Sequence, residues 1–451
     1  MISSKFKVQS SKSKVQSPKS EKNNLPDGKI AKDKGQITKN KIKIVRIIAR
    51  LNVGGPARHV VWLTKELQDD EFQTALLTGT VPAGEEDMGY FAVENGVAPV
   101  FIEEMSRELS PKDVVSLWKV YRQIRREKPD IIHTHTAKAG TIGRVAGFLY
   151  RWLTPQTLIG KPRRVKLVHT YHGHVFHSYY GSLKTKIFLS IEKTLARFAT
   201  DKIVVISDQQ YQEIHEKFGV GKKKQFEIIP LGIDLQPFAD WESKRNILRE
   251  EIGAADDEIL IGLVGRLTEV KNHSLFLKIA KIYQETKKNA DFPKLKFVII
   301  GDGHLREKLE NEAEMLGIKD LVIFVGNRND AAVFYAGLDI VALTSLNEGT
   351  PLSLIEAMAN EKAIISTSVG GVIDLLGKIE LEKPGFQICE RGLRVASNDT
   401  DGFYNGLFYL IKNESSRKTI IENGKKFVEA RYGKERLVRD IKNLNRDLTR
   451  F

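Results

Sequence analysis

Short apolar runs closed by glycine, proline or asparagine alternate along this chain with segments whose apolar positions recur at helical spacing. In the first half, the runs at 44–49, 73–78, 98–102, 130–133, 165–171, 202–206 and 226–229 predict strands. The segments 56–68, 111–127, 139–152, 183–199 and 208–218 predict helices. The sequence Pro-Leu-Gly-Ile-Asp at 230–234 closes this half, and a polar stretch from Ala239 to Glu258 leads into a second. There the predicted strands are 259–264, 296–300, 321–325, 338–343, 363–367 and 393–396. Alternation of this kind builds a mostly parallel sheet covered on both faces. At 451 residues the chain exceeds what one core usually supports. The expected fold class is therefore α/β, with Rossmann-like domains at 43–235 and 236–433. A closing amphipathic helix, 434–451, carries Leu437, Ile441, Leu444 and Leu448 on one face.

The apolar run that ends at Leu343 is followed by Asn347-Glu-Gly-Thr-Pro-Leu-Ser-Leu-Ile-Glu-Ala-Met-Ala359. Pro351 suits the first turn of a helix, and Leu352, Ile355, Met358 and Ala359 give that helix an apolar face. Glu348 then lies in a loop at the carboxyl end of a strand, and Glu356 on the helix beyond it. Open α/β sheets bind their ligands at that end. Gly349 and Thr350 offer backbone N–H groups to an anion at the helix N-terminus. A phosphate seat is thus flanked by two carboxylates suited to sugar hydroxyls. An isolated pair of glutamates would ordinarily be a solvated loop residue and a surface helix residue. Its neighbours along the chain change that reading.

The strand pattern Lys43–Arg50 ends in Asn52-Val-Gly-Gly-Pro-Ala-Arg-His59, and Ile259–Val264 ends in Gly265-Arg266-Leu-Thr-Glu-Val-Lys271. A third strand, Phe297–Ile300, leads into Gly301-Asp-Gly303. In this order, and with Glu348-x7-Glu356, the motifs closely resemble the retaining family 4 (group 1) glycosyltransferases of GT-B fold. The resemblance spans about residues 43–445. It implies two domains facing across a central cleft, with the C-terminal helix crossing back onto the first domain. It implies transfer of a sugar from a nucleotide-sugar, the co-substrate, to a glycan, lipid-linked or small-molecule acceptor. No cofactor and no metal are implied. Arg266 and Lys271 stand five residues apart in one loop, so both can converge on one anion; in the family the matching pair clamps the donor diphosphate. Gly54 and Gly55 would border its phosphates and sugar, since glycine permits close backbone approach. Gly301, Gly303 and Gly326 would shape the nucleoside side. By the same resemblance Glu356 holds the ribose, Glu348 the transferred sugar, and Gly349-Thr350 the phosphate. Oriented cations and N–H donors of this sort are worth about 3–4 kcal/mol each as leaving-group charge develops. The expected chemistry is a front-face displacement in which the donor phosphate accepts the acceptor's proton.

Histidines crowd the first half at 133, 135, 169, 172, 174 and 177. Pairs such as His133-Thr-His135 suggest zinc, but no cysteine is near and no acid interleaves with 169–177. His172 matches the family's residue beside the donor sugar, with His174 as the second choice. His133, His135 and His169 also fit core histidines satisfied by backbone. Lys138, opening a helix near the same edge, is a candidate acceptor contact. Asp399-Thr-Asp401, a metal-like pattern, is better explained by N-capping.

The formal net charge of +14 is concentrated at the start, where residues 1–43 hold twelve lysines against Glu21, Asp27 and Asp33. The repeat Ser-Lys-Phe-Lys-Val-Gln-Ser, then Ser-Lys-Ser-Lys-Val-Gln-Ser, is too poor in apolar residues to fold, so 1–42 is expected to be a disordered basic tail. A solvated extension is its ordinary role; peripheral contact with an anionic membrane is the alternative. Specific nucleic-acid binding is not expected, because the only aromatic in the tail is Phe6. The single cysteine, Cys389, favours a reducing, cytoplasmic compartment. Two rival functions remain on the same residues: a nucleotide-sugar epimerase, and a non-catalytic nucleotide-sugar or nucleic-acid binder.

Overall fold

The computed structural model describes residues 40–52, 54–81, 87–105, 111–173, 182–287 and 292–450. The tail, His174, His177, and residues 82–86, 106–110 and 174–181 of the loops at 80–110 and 173–185 lie outside the described residues. A first sheet contains β1 (Ile42–Arg50), β2 (Phe72–Gly79), β3 (Val100–Phe101), β4 (Ile131–His135), β5 (Lys166–Thr170), β6 (Lys202–Val205) and β7 (Phe226–Ile228). Its order is β3-β2-β1-β4-β5-β6-β7 and every pairing is parallel. The order reverses between β1 and β4, so a crevice opens where the two connections leave in opposite directions.

The second sheet begins with β8 (Glu258–Val264), β9 (Lys294–Ile300), β10 (Val322–Gly326), β11 (Ile340–Leu343) and β12 (Ala363–Thr367). It is completed by β13 (Ile379–Lys383), β14 (Phe386–Cys389) and β15 (Gly392–Val395), in the order β10-β9-β8-β11-β12-β15-β14-β13. The edge formed by β13 and β14 is antiparallel. The periodicity did not mark β13: all five of its residues are exposed, so it carries no alternation of buried and solvent positions.

Helix Ala137–Trp152 shows how sequence sets packing in the first half. A Cβ on Gly140 would stand 2.4 Å from His169 Cε1, one on Gly143 2.6 Å from Thr134, and one on Gly147 2.6 Å from Leu167. The glycine stripe lets the helix lie directly on β4 and β5. The closing helix, Lys434–Thr449, belongs to the first half's core. Leu437, Ile441 and Leu444 pack with Ile44, Leu63, Leu67 and Phe72, and Lys442 and Arg446 pair with Asp69 and Glu71 at 2.6 Å each. Each buried leucine or isoleucine contributes about 1.5–3 kcal/mol, so this helix fastens the end of the chain to β1 and its neighbours.

Candidate active site

The two halves meet along the carboxyl ends of β1 and β5 on one side and β8 and β11 on the other. After β1 the chain turns at Gly54, whose φ of +154° with ψ of +169° is a conformation glycine tolerates. Gly55 then starts helix Gly55–Glu66 against the opposite half: a Cβ there would be 2.6 Å from Leu352 Cδ1. One turn on, Arg58 Nη1 donates to Glu356 Oε1 at 3.3 Å. Glu356 is 9% exposed. Burial raises its pKa, opposed by the Arg58 charge and by the Tyr335 hydroxyl.

Glu348 sits in the loop after β11. Its Oε1 accepts from Lys271 Nζ and from Ser345 Oγ, both at 2.6 Å. The loop rests on the turn at Gly370-Gly371, where a Cβ on Gly371 would lie 2.0 Å from the Gly349 carbonyl oxygen. Thr350 is buried and its hydroxyl has no hydrogen-bond partner among the described residues. Across the gap, a Cβ on Gly349 would be 3.2 Å from Gly173 Cα and 3.7 Å from the His172 carbonyl oxygen. His172 and Glu348 therefore belong to facing walls of one narrow cleft.

The other glycines bring loops together by the same steric rule. A Cβ on Gly301 would meet Gly265 O at 2.1 Å, and one on Gly303 would meet Leu267 O at 2.5 Å. The β9 loop is thereby pressed against the loop that carries Arg266 and Lys271. Arg266 is exposed. Gly326 has φ of +84° and lies against Arg306.

Sequence profiles match the chain in two blocks: Glycosyltransferase Family 4 over residues 53–237 and Glycosyl transferases group 1 over residues 244–427. The chain is 30% identical over 320 residues to the Escherichia coli UDP-Gal:alpha-D-GlcNAc-diphosphoundecaprenol alpha-1,3-galactosyltransferase, covering 70% of this chain and 75% of that one. This protein belongs to the group 1, family 4 glycosyltransferases. Similarity extends to the Staphylococcus aureus capsular polysaccharide biosynthesis glycosyltransferase CapM, at 25% identity over 356 residues, 78% of this chain and 85% of that one. The crystal structure of Anabaena HepE in complex with UDP-glucose superposes with a TM-score of 0.70 at 19% identity, covering 89% of this chain and 99% of that one. The shared architecture is GT-B.

Within this glycosyltransferase, the structure brings His172, Gly54, Gly55, Glu348, Gly349, Thr350, Glu356 and Lys271 to one cleft. Lys138 differs from the expectation of an acceptor contact. It is 9% exposed and its ammonium lies 2.7 Å from Asp113, so its charge is spent joining helix Ala137–Trp152 to helix Lys112–Glu127. Pro351 stands at the N-cap rather than inside the first turn, with the helix proper running Leu352–Ala359. Asp399 accepts from the Gly402 amide at 2.8 Å and caps its helix.

His133, His135 and His172 form a connected stack, with His169 beside it against Tyr171, and the hydrogen-bond partners of these four are side chains rather than backbone. His133 bonds Arg46 at 3.0 Å and Thr170 at 2.7 Å, His169 bonds Thr134 at 2.8 Å, and His135 Nδ1 lies 2.9 Å from His172 Nε2. His59 completes the group, with ring centroids 4.8 Å from His172 and 5.8 Å from His135. Ligand-capable nitrogens of His59, His135 and His172 all lie within 4.8 Å of one another. Against a metal, the His135 and His172 rings are stacked and already share a hydrogen bond. Among the described residues no carboxylate joins the group, and the Arg46 guanidinium bonds the neighbouring His133. Burial holds the His172 pKa at about 4, so its imidazole is neutral at pH 7. Thr136, between His135 and the next helix, has φ of +65°, a strained conformation for a β-branched residue.

Sequence reading missed Arg58 and His59. The signal was present: 59, 63 and 67 recur every four residues, which puts His59 on the buried face of its helix with Leu63 and Leu67.

Proposed function

We propose that this glycosyltransferase is a retaining, metal-independent hexosyltransferase that uses a UDP-sugar and extends a polyprenyl-diphosphate-linked glycan. The observation that carries the reading is the cleft itself, where the Glu348–Lys271 pair faces the His172–Gly173 turn while Glu356 lies nearby against helix Gly55–Glu66. Glu348 grips hydroxyls of the transferred sugar, and Glu356 takes the ribose in exchange for Arg58. Arg266 and Lys271 meet the diphosphate as its charge grows, and Gly349-Thr350 supplies N–H groups to it. Gly301, Gly303 and Gly326 border the nucleoside. Neutral His172 orients the sugar by hydrogen bonding rather than as an acid. The UDP-sugar and lipid-linked acceptor are supported by the name of the Escherichia coli relative and by the UDP-glucose complex of HepE.

A lipid-linked acceptor calls for peripheral contact with the inner face of the membrane. No described helix is long and apolar enough to cross one. Helix Lys112–Glu127 instead exposes Val114, Val115 and Trp118, with Arg122 5.4 Å over the Trp118 ring. Beside it, Trp152, Leu153, Leu158 and Ile159 are exposed just before Lys161, Arg163 and Arg164. Apolar side chains rimmed by cations suit an anionic bilayer surface. The buried, unpaired Cys389 agrees with a reducing compartment.

The test is the anomeric configuration of the product, read by NMR from a UDP-α-hexose donor, with and without EDTA. An α-linked product formed at the same rate in EDTA is expected. A β-linked product would overturn retention, and activity lost in EDTA and restored by a divalent ion would overturn metal independence.

A further inference from the structure

We propose that the polar cavity beside the donor cleft, between helix Asp208–Lys217 and the turns at Asn347 and Gly370, is the seat of the acceptor's sugar ring. This rests on the reading of the cleft given above. The cavity has a volume of about 610 Å³, inside the range of about 300–1,000 Å³ usual for small-ligand sites. Gln209, Gln212, Glu213, Glu216 and Lys217 line it from the first half, and Asn347 and Gly370 from the second. The five first-half residues all belong to helix Asp208–Lys217, so a single helix supplies that wall.

The chemistry of the lining selects the ligand. Amides donate and accept and carboxylates accept, which matches hydroxyl groups that do both. Among the described residues no aromatic or aliphatic side chain lines the cavity, so a base finds no ring to stack on there. Two carboxylates, Glu213 and Glu216, outweigh the single ammonium of Lys217, which favours a neutral or amino sugar over a diphosphate. The buried Oε1 of Gln209 has no hydrogen-bond partner among the described residues, and a buried acceptor is costly until a ligand O–H or N–H meets it.

Position ties the cavity to the reaction. Asn347 directly precedes Glu348, and Gly370 precedes the glycine that supports the Gly349 carbonyl. On the other side, Gln210 donates to Gly173 O at 3.0 Å, so the same helix holds the turn that carries His172. The helix is also irregular: after Asp208–Tyr211 it widens to a π-helix over Gln212–Lys217. Such widenings are rare and concentrate at functional sites.

Gln212 and Glu216 are exposed, so replacing them does not disturb a core. Transfer to decyl-diphosphate-linked N-acetylglucosamine would be measured for wild type and for Gln212→Ala/Glu216→Ala, alongside UDP-induced thermal stabilisation and slow donor hydrolysis without acceptor. The double variant is expected to raise acceptor KM about tenfold, the loss of one or two ligand hydrogen bonds, with UDP stabilisation and donor hydrolysis unchanged. Unchanged acceptor KM would overturn the inference. A rise in donor KM alone would also overturn it, making the cavity a seat for the donor's sugar. Saturation-transfer NMR on the wild type gives an independent reading, in which signal from the probe's sugar protons is expected. Absence of that signal in a protein stabilised by UDP would overturn the acceptor assignment and leave the donor cleft standing. A wild type neither stabilised by UDP nor able to hydrolyse UDP-sugars would overturn the reading of the cleft.

Discussion

Lowering the pH from 7.5 to 5.5 is expected to destabilise the protein through its buried imidazoles. His59, His133, His135 and His169 are each 3% exposed or less. Burial, reinforced by neighbouring histidines and by Arg46 or Arg144, holds their pKa values well below the ordinary 6.5. The unfolded chain therefore binds more protons than the folded one once the pH falls below 6.5. Stability is full above that pH and is lost as the pH drops through it. Each such group costs about 1.4 kcal/mol per pH unit in that window. Four independent groups would cost about 5 kcal/mol over the first unit, an upper value because the rings touch and titrate as a set. That is comparable with the whole stability of a typical domain, about 5–15 kcal/mol. His172, held at about 4, adds to the loss between pH 6.5 and about 4. The raised carboxyls of Glu356 and Asp374 work in the opposite direction. Urea unfolding followed by tryptophan fluorescence at pH 7.5, 6.5 and 5.5 measures the effect, and His169→Gln should make the slope shallower by about a quarter. A midpoint independent of pH across this range, or an unchanged slope in the variant, would refute the reasoning.

Glu356→Gln should weaken UDP binding at least tenfold in calorimetric titration, since a charge-assisted bond to the ribose is lost; unchanged affinity would remove the ribose role. Leu437→Ala should cost about 2–5 kcal/mol in equilibrium unfolding, by cavity formation beneath the closing helix, and a cost below about 1 kcal/mol would show that helix to be loosely attached. Trp118→Glu should reduce sedimentation with anionic vesicles at low salt while leaving UDP binding intact. The remaining binding should fall as salt is added, because exposed charges are screened over about 8 Å at physiological ionic strength. Equal vesicle binding by the variant would discard this helix as a membrane contact.

Parallel strands buried on both faces read as continuous apolar runs, so β1, β4, β8 and β12 were legible within a residue or two. The exposed antiparallel edge at β13 was not, because it has no buried face to leave a period. The family motifs located Glu348, Lys271 and the glycine turns, since each depends on local backbone: a loop after a strand, or a close approach that only glycine allows. Contacts between the halves were beyond reach. Arg58 and Glu356 are separated by 298 positions, and nothing in either neighbourhood names the other. The same holds for the histidines. Reading His133 and His135 as a local pair hid the group they form with His59 and His172, which arises from one helix and the ends of two strands. The partner of Lys138 was equally hidden: a lysine opening a helix looks available, yet an aspartate from the preceding helix pairs with it.

The central claim is that Glu348 grips the sugar being transferred, and it is tested most directly by single-turnover transfer from a saturating UDP-hexose in wild type and Glu348→Gln. The substitution keeps size and hydrogen-bonding capacity while removing the charge paired with Lys271. A rate lowered at least a hundredfold, with unchanged UDP affinity and unfolding midpoint, is expected for an interaction made mainly in the transition state. A rate within a few-fold of wild type would contradict the account.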